Sequence, residues 1–338
     1  MNNWITFLAS HDAAVHDHEV AHFGDLPSEL SAAASSDVLA DLSHLSLLKL
    51  SGEDAINFLQ GQVTNDVKQL DGSNSQYAGY CTPKGRLIAL FLLHSHAGNL
   101  FLQIDRRLTE TITKRLRMYV LRSKVAIEDV SDTTVRMGIS GPTAGAALDQ
   151  LFTVLPAAAH ELVANENGVL MRLPGAVPRY ELVVEAERAE HVWNQLSQQF
   201  KPVGRSAWEW LEIQAGIPDI QPGAQEEFVP QMVNLDALGG INFKKGCYTG
   251  QEIVARTHYL GKVKRRTQLA HVASQQQPQP GDDVLGESGD PIGKIVRSAP
   301  APTGGFDVLA ELRLENLQSA VQWQGVELQI RPLPYELS

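Results

Sequence analysis

Phe243-Lys244-Lys245-Gly246-Cys247-Tyr248-Thr249-Gly250-Gln251-Glu252 is the most chemically informative stretch of this chain. It holds one of only two cysteines, directly after a glycine and two lysines. Thr249 and Glu252 stand at the spacing of a capping box, in which each side chain satisfies a free N–H at a helix start. The spacing therefore predicts a helix opening over Gln251–His258. Cys247 then lies just ahead of a helix N-terminus, where the dipole and the charges of Lys244 and Lys245 favour a thiolate. Gly246 and Gly250 are expected where the backbone turns in ways that a side chain would block. A buried, inert cysteine in a glycine-rich loop is the other reading, since free cysteine is among the most buried residue types.

At 338 residues the chain has room for two or three domains. A hydrophobic content of 43% and a charged content of 20% are those of an ordinary globular protein. Cys81 and Cys247 cannot build a disulfide framework, which points to a reducing compartment, and they are too few to hold an iron–sulfur cluster by thiolates alone. No apolar run reaches the ~18 residues of a membrane span, and no basic residue precedes Lys49 as a signal peptide would require. A cytoplasmic location is expected.

The net charge is −11, which argues against a broad nucleic-acid surface. The charge is uneven. Lys244, Lys245, Arg256, Lys262, Lys264, Arg265 and Arg266 face one acid, Glu252, and Arg106, Arg107, Lys114, Arg115, Arg117, Arg122 and Lys124 face Glu110. These basic islands make one anion site if they meet in space, or two solvated helix faces if they do not.

Upstream, residues 1–40 read as a loosely packed leader whose His18 and His22 could share a helix face, a spacing too thin to predict a metal. Strands are predicted at Leu45–Leu50, Tyr77–Cys81, Arg86–Ser95 and Leu100–Asp105, with a turn at Thr82-Pro83-Lys84-Gly85. Arg107–Leu121 has helical periodicity. Residues 131–205 read as a small β-α-β-β-α unit, and Trp208–Ala215 as an apolar helix. After Arg266, short strands between Gly, Pro and Ser turns predict a β-barrel or sandwich.

The run from Phe228-Val-Pro-Gln-Met-Val-Asn234 to Gly246-Cys-Tyr-Thr-Gly-Gln-Glu252 resembles the YgfZ family, folate-binding proteins related to the aminomethyltransferase of the glycine cleavage system. Weaker likeness lies in Phe58-Leu-Gln-Gly-Gln-Val-Thr-Asn-Asp-Val67, Cys81-Thr-Pro-Lys-Gly-Arg86, Tyr119–Val125 and Pro332-Leu-Pro-Tyr335. The resemblance implies an α+β, three-domain aminomethyltransferase-like fold around a central hole. A folate-binding domain would span 1–130 and 206–264, a ferredoxin-like domain 131–205, and a C-terminal β-barrel 265–338.

The resemblance also implies a ligand, tetrahydrofolate or a derivative. Of the two tryptophans of the family's pocket, one matches Trp208 and the other falls on Leu45, which lacks an aromatic face. Trp208 could equally be core packing beside Leu211. Gln214 stands where the related transferases often carry Glu, and the basic islands would suit the ligand's tail carboxylates. The remaining site residues implied are Lys244, Lys245, Gly246, Tyr248, Gly250, Gln251, Glu252 and Arg256, around Cys247 as the working thiol. No metal is expected.

The aminomethyltransferases carry an Asp-Asp pair where this chain has Ala89-Leu90. The resemblance therefore favours a folate-binding accessory protein supporting iron–sulfur cluster assembly or repair, and through it tRNA modification such as thiolation, over a working enzyme. Its partners would be iron–sulfur enzymes such as those that thiolate tRNA. A folate-dependent one-carbon transferase with other catalytic groups is the alternative. Direct tRNA binding is not expected, because no aromatic–basic stacking stretch is evident, and a monomer is the default.

Overall fold

The computed structural model describes residues 3–337. Three sheets organise it. The first is antiparallel, in the order Ser75–Cys81, Leu87–His96, Asn99–Asp105, Leu45–Ser51, Ala126–Asp129. Its period-two alternation separates two cores. Ala89, Phe91, Leu93, Leu102 and Ile104 pack with Ile112 and Leu116 of the helix Thr109–Val120, whereas Leu90 and Leu92 turn to the centre of the molecule.

The second sheet runs Leu162–Asn165, Gly168–Leu173, Arg179–Glu185, Thr134–Ser140, Val38–Asp41, Lys201–Val203. Tyr180, Leu182 and Val184 point to an outer core with Trp193 of the helix Ala186–Leu196. Period two thereby sends Arg179, Glu181 and Val183 of that strand toward the first sheet. The third sheet closes into the expected barrel, of six strands between Arg265 and Arg331. The helix Arg205–Gln214 packs against barrel strand Pro291–Pro300, and one central core takes side chains from all three units, including Leu90, Trp208 and Val296.

The leader differs from expectation. Helix Asn3–Ala9 buries Trp4, Ile5 and Leu8, and the Trp4 ring meets Trp193 edge-on at 5.5 Å. Trp4 Nε1 donates to Asp41 Oδ1 at 2.7 Å. Three large apolar side chains outweigh the polar composition that suggested looseness. The body expected over 131–205 thus also takes the helix Asn3–Ala9 and the strand Val38–Asp41. His18 and His22 share no helix face: they lie in a hairpin of Ala14–His16 and Glu19–His22 that Asp17 and His18 turn with positive φ. Among the described residues no group of three or more His, Cys, Asp or Glu could hold a metal, and no helix is long and apolar enough to cross a membrane.

Candidate functional site

The sheets face each other across a narrow central cavity of about 60 Å³. Leu45, Leu90, Leu92, Tyr77 and the Trp208 ring form its apolar walls. Trp208 is 2% exposed and lies so close to Gly138 that a Cβ there would meet the ring at 2.7 Å. The Arg179 guanidinium covers the ring at 4.9 Å from its centroid. Core packing and cavity lining are therefore both true of Trp208. Leu45 lines the same cavity. Ala89 sits on the far face, in the outer core, while Leu90 lines the cavity, so the position of one missing carboxylate is occupied by a leucyl side chain.

The cavity is nonetheless rich in charge. Gln103, Asp105, Glu181, Glu212, Asp219 and Arg297 all line it. Gln103 Nε2 donates to Glu181 Oε2 at 2.9 Å, which leaves Gln103 Oε1 and Glu181 Oε1 buried without a partner. Burial pushes the Glu181 carboxyl up to about 7, against the hydrogen bond from Gln103 and the charge of Arg136. Burial and the neighbouring Asp105 likewise push Asp219 up to about 7. Arg297 holds the opposite wall. Its Nε donates to Glu209 Oε2 at 2.6 Å, and its Nη1 to Glu212 Oε2 at 3.4 Å. Glu212 also pairs with Arg179. Burial alone would raise Glu209, but Arg297, Arg205 and His44 outweigh it and hold the carboxyl at about 2. None of these acids carries a sequence motif. Their signal is a lone polar residue inside an apolar strand, as in Phe101-Leu-Gln-Ile-Asp105 and Tyr180-Glu-Leu-Val-Val184.

Gln214 is not among the cavity's lining residues. Its Nε2 donates to Asp307 Oδ2 at 3.0 Å, beside Trp210 Nε1 at 2.8 Å on the same oxygen. It ties the helix to the barrel. The acid that does reach the cavity is Glu212, two residues earlier on the helix.

The cysteine loop lies elsewhere on the first domain. The helix Gln251–Tyr259 forms as expected, but the capping box does not: Gly250 is the N-cap, at φ 85°, and no side chain caps it. A Cβ on Gly250 would come within 2.5 Å of Thr82 O and 2.9 Å of Gly85 Cα, so the Thr82–Gly85 turn fits only against a glycine. Gly246 meets nothing within 4 Å, and crowding does not explain it. Cys247 is exposed, which removes the reading of a buried inert thiol. Cys81 is the buried one, its thiol pushed up to about 12 by desolvation.

Lys245 turns inward, not toward an anion. Its Nζ donates to the carbonyls of Gln60 at 2.7 Å, Val63 at 2.6 Å and Asn65 at 2.7 Å, which uses all three N–H groups. Burial lowers it to about 8, with Asp66 opposing. The buried Tyr248 ring lies 5.1 Å from the same Nζ. Lys244, Glu252 and Arg256 are exposed, and Gln251 is half-buried at the helix start.

The two basic islands are largely dispersed. Arg265 pairs with Glu311, Arg266 with Asp236, Arg107 with Asp105, Arg106 with Asp132 and Lys124 with Glu53. Two of these touch cavity residues: Arg107 pairs with Asp105, and the Arg106 backbone N–H donates to His44 O at 3.1 Å.

Comparison with known proteins agrees with this fold. Residues 14–244 match the family model described as GCVT N-terminal domain. The tRNA-modifying protein YgfZ of Pectobacterium atrosepticum is 33% identical over 329 residues, covering 95% of this chain and 98% of that protein. The chain belongs to the YgfZ family. A second relative of the same description, from Sodalis glossinidius, is 32% identical over 88% of this chain and 93% of its own length. Among solved structures, the glycine cleavage system aminomethyltransferase T of Bartonella henselae superposes with a TM-score of 0.75 at 16% identity, covering 97% and 96% of the two chains. That likeness concerns the fold. The YgfZ-family chain thus has the aminomethyltransferase fold with an apolar residue, Leu90, at its cavity wall.

Proposed function

We propose that this chain binds a tetrahydrofolate in the central cavity and acts as an accessory protein in tRNA modification, with Cys247 as its working thiol. The observation that carries the reading is the pair of orphaned buried acceptors, Gln103 Oε1 and Glu181 Oε1, set among apolar walls. A buried acceptor without a partner costs about 1–3 kcal/mol, which a ligand's donors would recover. A pterin ring presents donors of this kind along one edge, at its ring N–H and amino group, and a flat apolar face to Leu45 and Trp208.

At about 60 Å³ the cavity is far below the ~300–1,000 Å³ of ligand sites, so entry requires lining side chains such as Leu90 and Leu45 to move. When bound, the folate would supply a one-carbon carrier. The chain's own residues bind its ring edge, exclude water and hold a proton at Glu181 or Asp219. The exposed thiol of Cys247 is free to exchange with a partner, and the reading extends to partners that assemble or repair iron–sulfur clusters in tRNA-thiolating enzymes, in the cytoplasm. The test is a titration of tryptophan fluorescence with tetrahydrofolate, in wild type and Trp208→Ala, with Glu181→Gln as the second variant. A saturable signal is expected in the wild type, lost in Trp208→Ala and weakened in Glu181→Gln. Absence of saturable binding in the wild type sinks the folate assignment.

A second reading, one-carbon transfer with different catalytic groups, has one observation behind it. Asp219 lines the cavity with a carboxyl that carries a proton near neutrality, although the positions of the transferases' acids are apolar. It predicts a folate-dependent product from a methylated or aminomethylated amine that disappears in Asp219→Asn. A screen without any such product removes it.

A further inference from the structure

The geometry points to a single-stranded RNA contact surface on the helix Gln251–Tyr259 and the loop before it, separate from the cavity. The sequence shows no contiguous aromatic–basic stacking stretch, but the fold assembles one. Phe243 stacks on His258 with centroids 3.7 Å apart and planes inclined by 13°. Tyr259 stands edge-on to both rings, at 4.7 Å from His258 and 6.2 Å from Phe243. Phe243 is half-buried against the central core, and the outer side of the cluster is open. His258 is exposed, Tyr259 is 63% exposed and Leu260 84% exposed. Phe243 backs the histidine ring, so His258 presents an outer face held in place, the arrangement on which an unpaired base stacks with little further ordering.

Charge supplies the second half of the argument. Lys244, Arg256, Lys262 and Lys264 are exposed in the same stretch of chain as these rings, and none of the four side chains has an ion-pair or hydrogen-bond partner among the described residues. Their neighbours in sequence, Arg265 and Arg266, are both paired with acids. The only acid in the stretch is Glu252, at the opposite end of the helix. Four cations without an acid partner in one short stretch, next to exposed rings, complement a polyanion that carries flat groups. Duplex RNA hides its base faces, and an acidic protein surface has no use for the stacked rings. Single-stranded RNA uses both. The exposed Cys247 lies in the same loop as Phe243 and Lys244.

The test measures fluorescence anisotropy of a labelled single-stranded RNA of about twelve nucleotides against the full-length protein, at about 50 mM KCl and upward. Binding is expected, with log Kd rising against log salt by about 3, the value for four phosphate contacts at ~0.7 each. Tyr259→Ala should weaken binding about tenfold, the loss of one stacked base. Tyr259→Phe should restore it, and Lys262→Gln with Lys264→Gln should flatten the salt slope. Unchanged thermal unfolding of these surface variants separates lost contact from lost fold. No binding at the lowest salt overturns the proposal. So does equal affinity for Tyr259→Ala, or equal competition by an RNA duplex or by polyglutamate, because each reduces the surface to charge alone. The cavity's ligand plays no part in this measurement, so either reading can fail without the other.

Discussion

Arg297 of the barrel donates from Nε to Glu209 Oε2 at 2.6 Å, and this ion pair joins the C-terminal barrel to the helix that carries Trp208. Both side chains are nearly buried, at 6% and 8% exposure. The position of the cavity's tryptophan therefore depends on a charge contributed from another domain.

Glu209→Gln should destabilise the protein by about 3 kcal/mol, since it removes the shorter of the two carboxylate contacts of a buried Arg297 and leaves only Glu212 at 3.4 Å. The sign of the pH effect follows from the depressed carboxyl, about 2 in the fold against 4.5 ordinarily. The wild-type contribution is full above about pH 4.5 and is lost as pH falls toward 2. Urea unfolding at several pH values measures it. Parallel wild-type and variant curves below about pH 4.5 would contradict the assignment.

Ligand affinity should rise with pH through about 7. A ring edge that donates hydrogen bonds to Glu181 favours its ionised form, and the free protein holds that group near half protonation because burial raises it to about 7. Tetrahydrofolate should bind about tenfold more tightly at pH 8 than at pH 6, a difference of roughly 1.4 kcal/mol. Glu181→Gln should abolish the slope. Calorimetry in buffers of different ionisation enthalpy reads the released proton directly, and a variant that keeps the slope assigns it elsewhere.

A thiol reagent should react with one cysteine in the native protein and with the second only after denaturation. Cys247 is exposed, while Cys81 is 1% exposed and held protonated. Cys247→Ala should remove the fast phase, leave unfolding unchanged, and fail to restore tRNA thiolation in cells that lack the chain. Full restoration would end the role of the thiol.

Lys245→Met should cost about 3 kcal/mol or more, because three carbonyls lose their shared donor in a buried pocket. Denaturant midpoints of Lys245→Met and Lys244→Met distinguish the clamp from its exposed neighbour, which should change little. Equal effects would mean that Lys245 contributes only charge.

The amino-acid pattern by itself established the elements that repeat a short local rule. A continuous apolar run within Arg86–Ser95 marked a strand, helical spacing over Arg107–Leu121 marked the helix Thr109–Val120, and turn residues after Arg266 marked the barrel's strands. The Cys247 loop and the helix after it were also legible, since a Gly-rich turn before a helix start is local chemistry. What the chain alone did not disclose depends on partners distant in sequence. Thr249 and Glu252 have the spacing of a cap, but the approach of the Thr82–Gly85 turn selects Gly250 for that place. Lys244 and Lys245 are identical as letters, and only the carbonyls of residues 60–65 draw one of them inside. Gln103 and Glu181 come from different sheets and meet at 2.9 Å only because two faces close on each other. Buried polar groups must find partners or stay costly, and which partner is in reach is a property of the folded chain, not of its order.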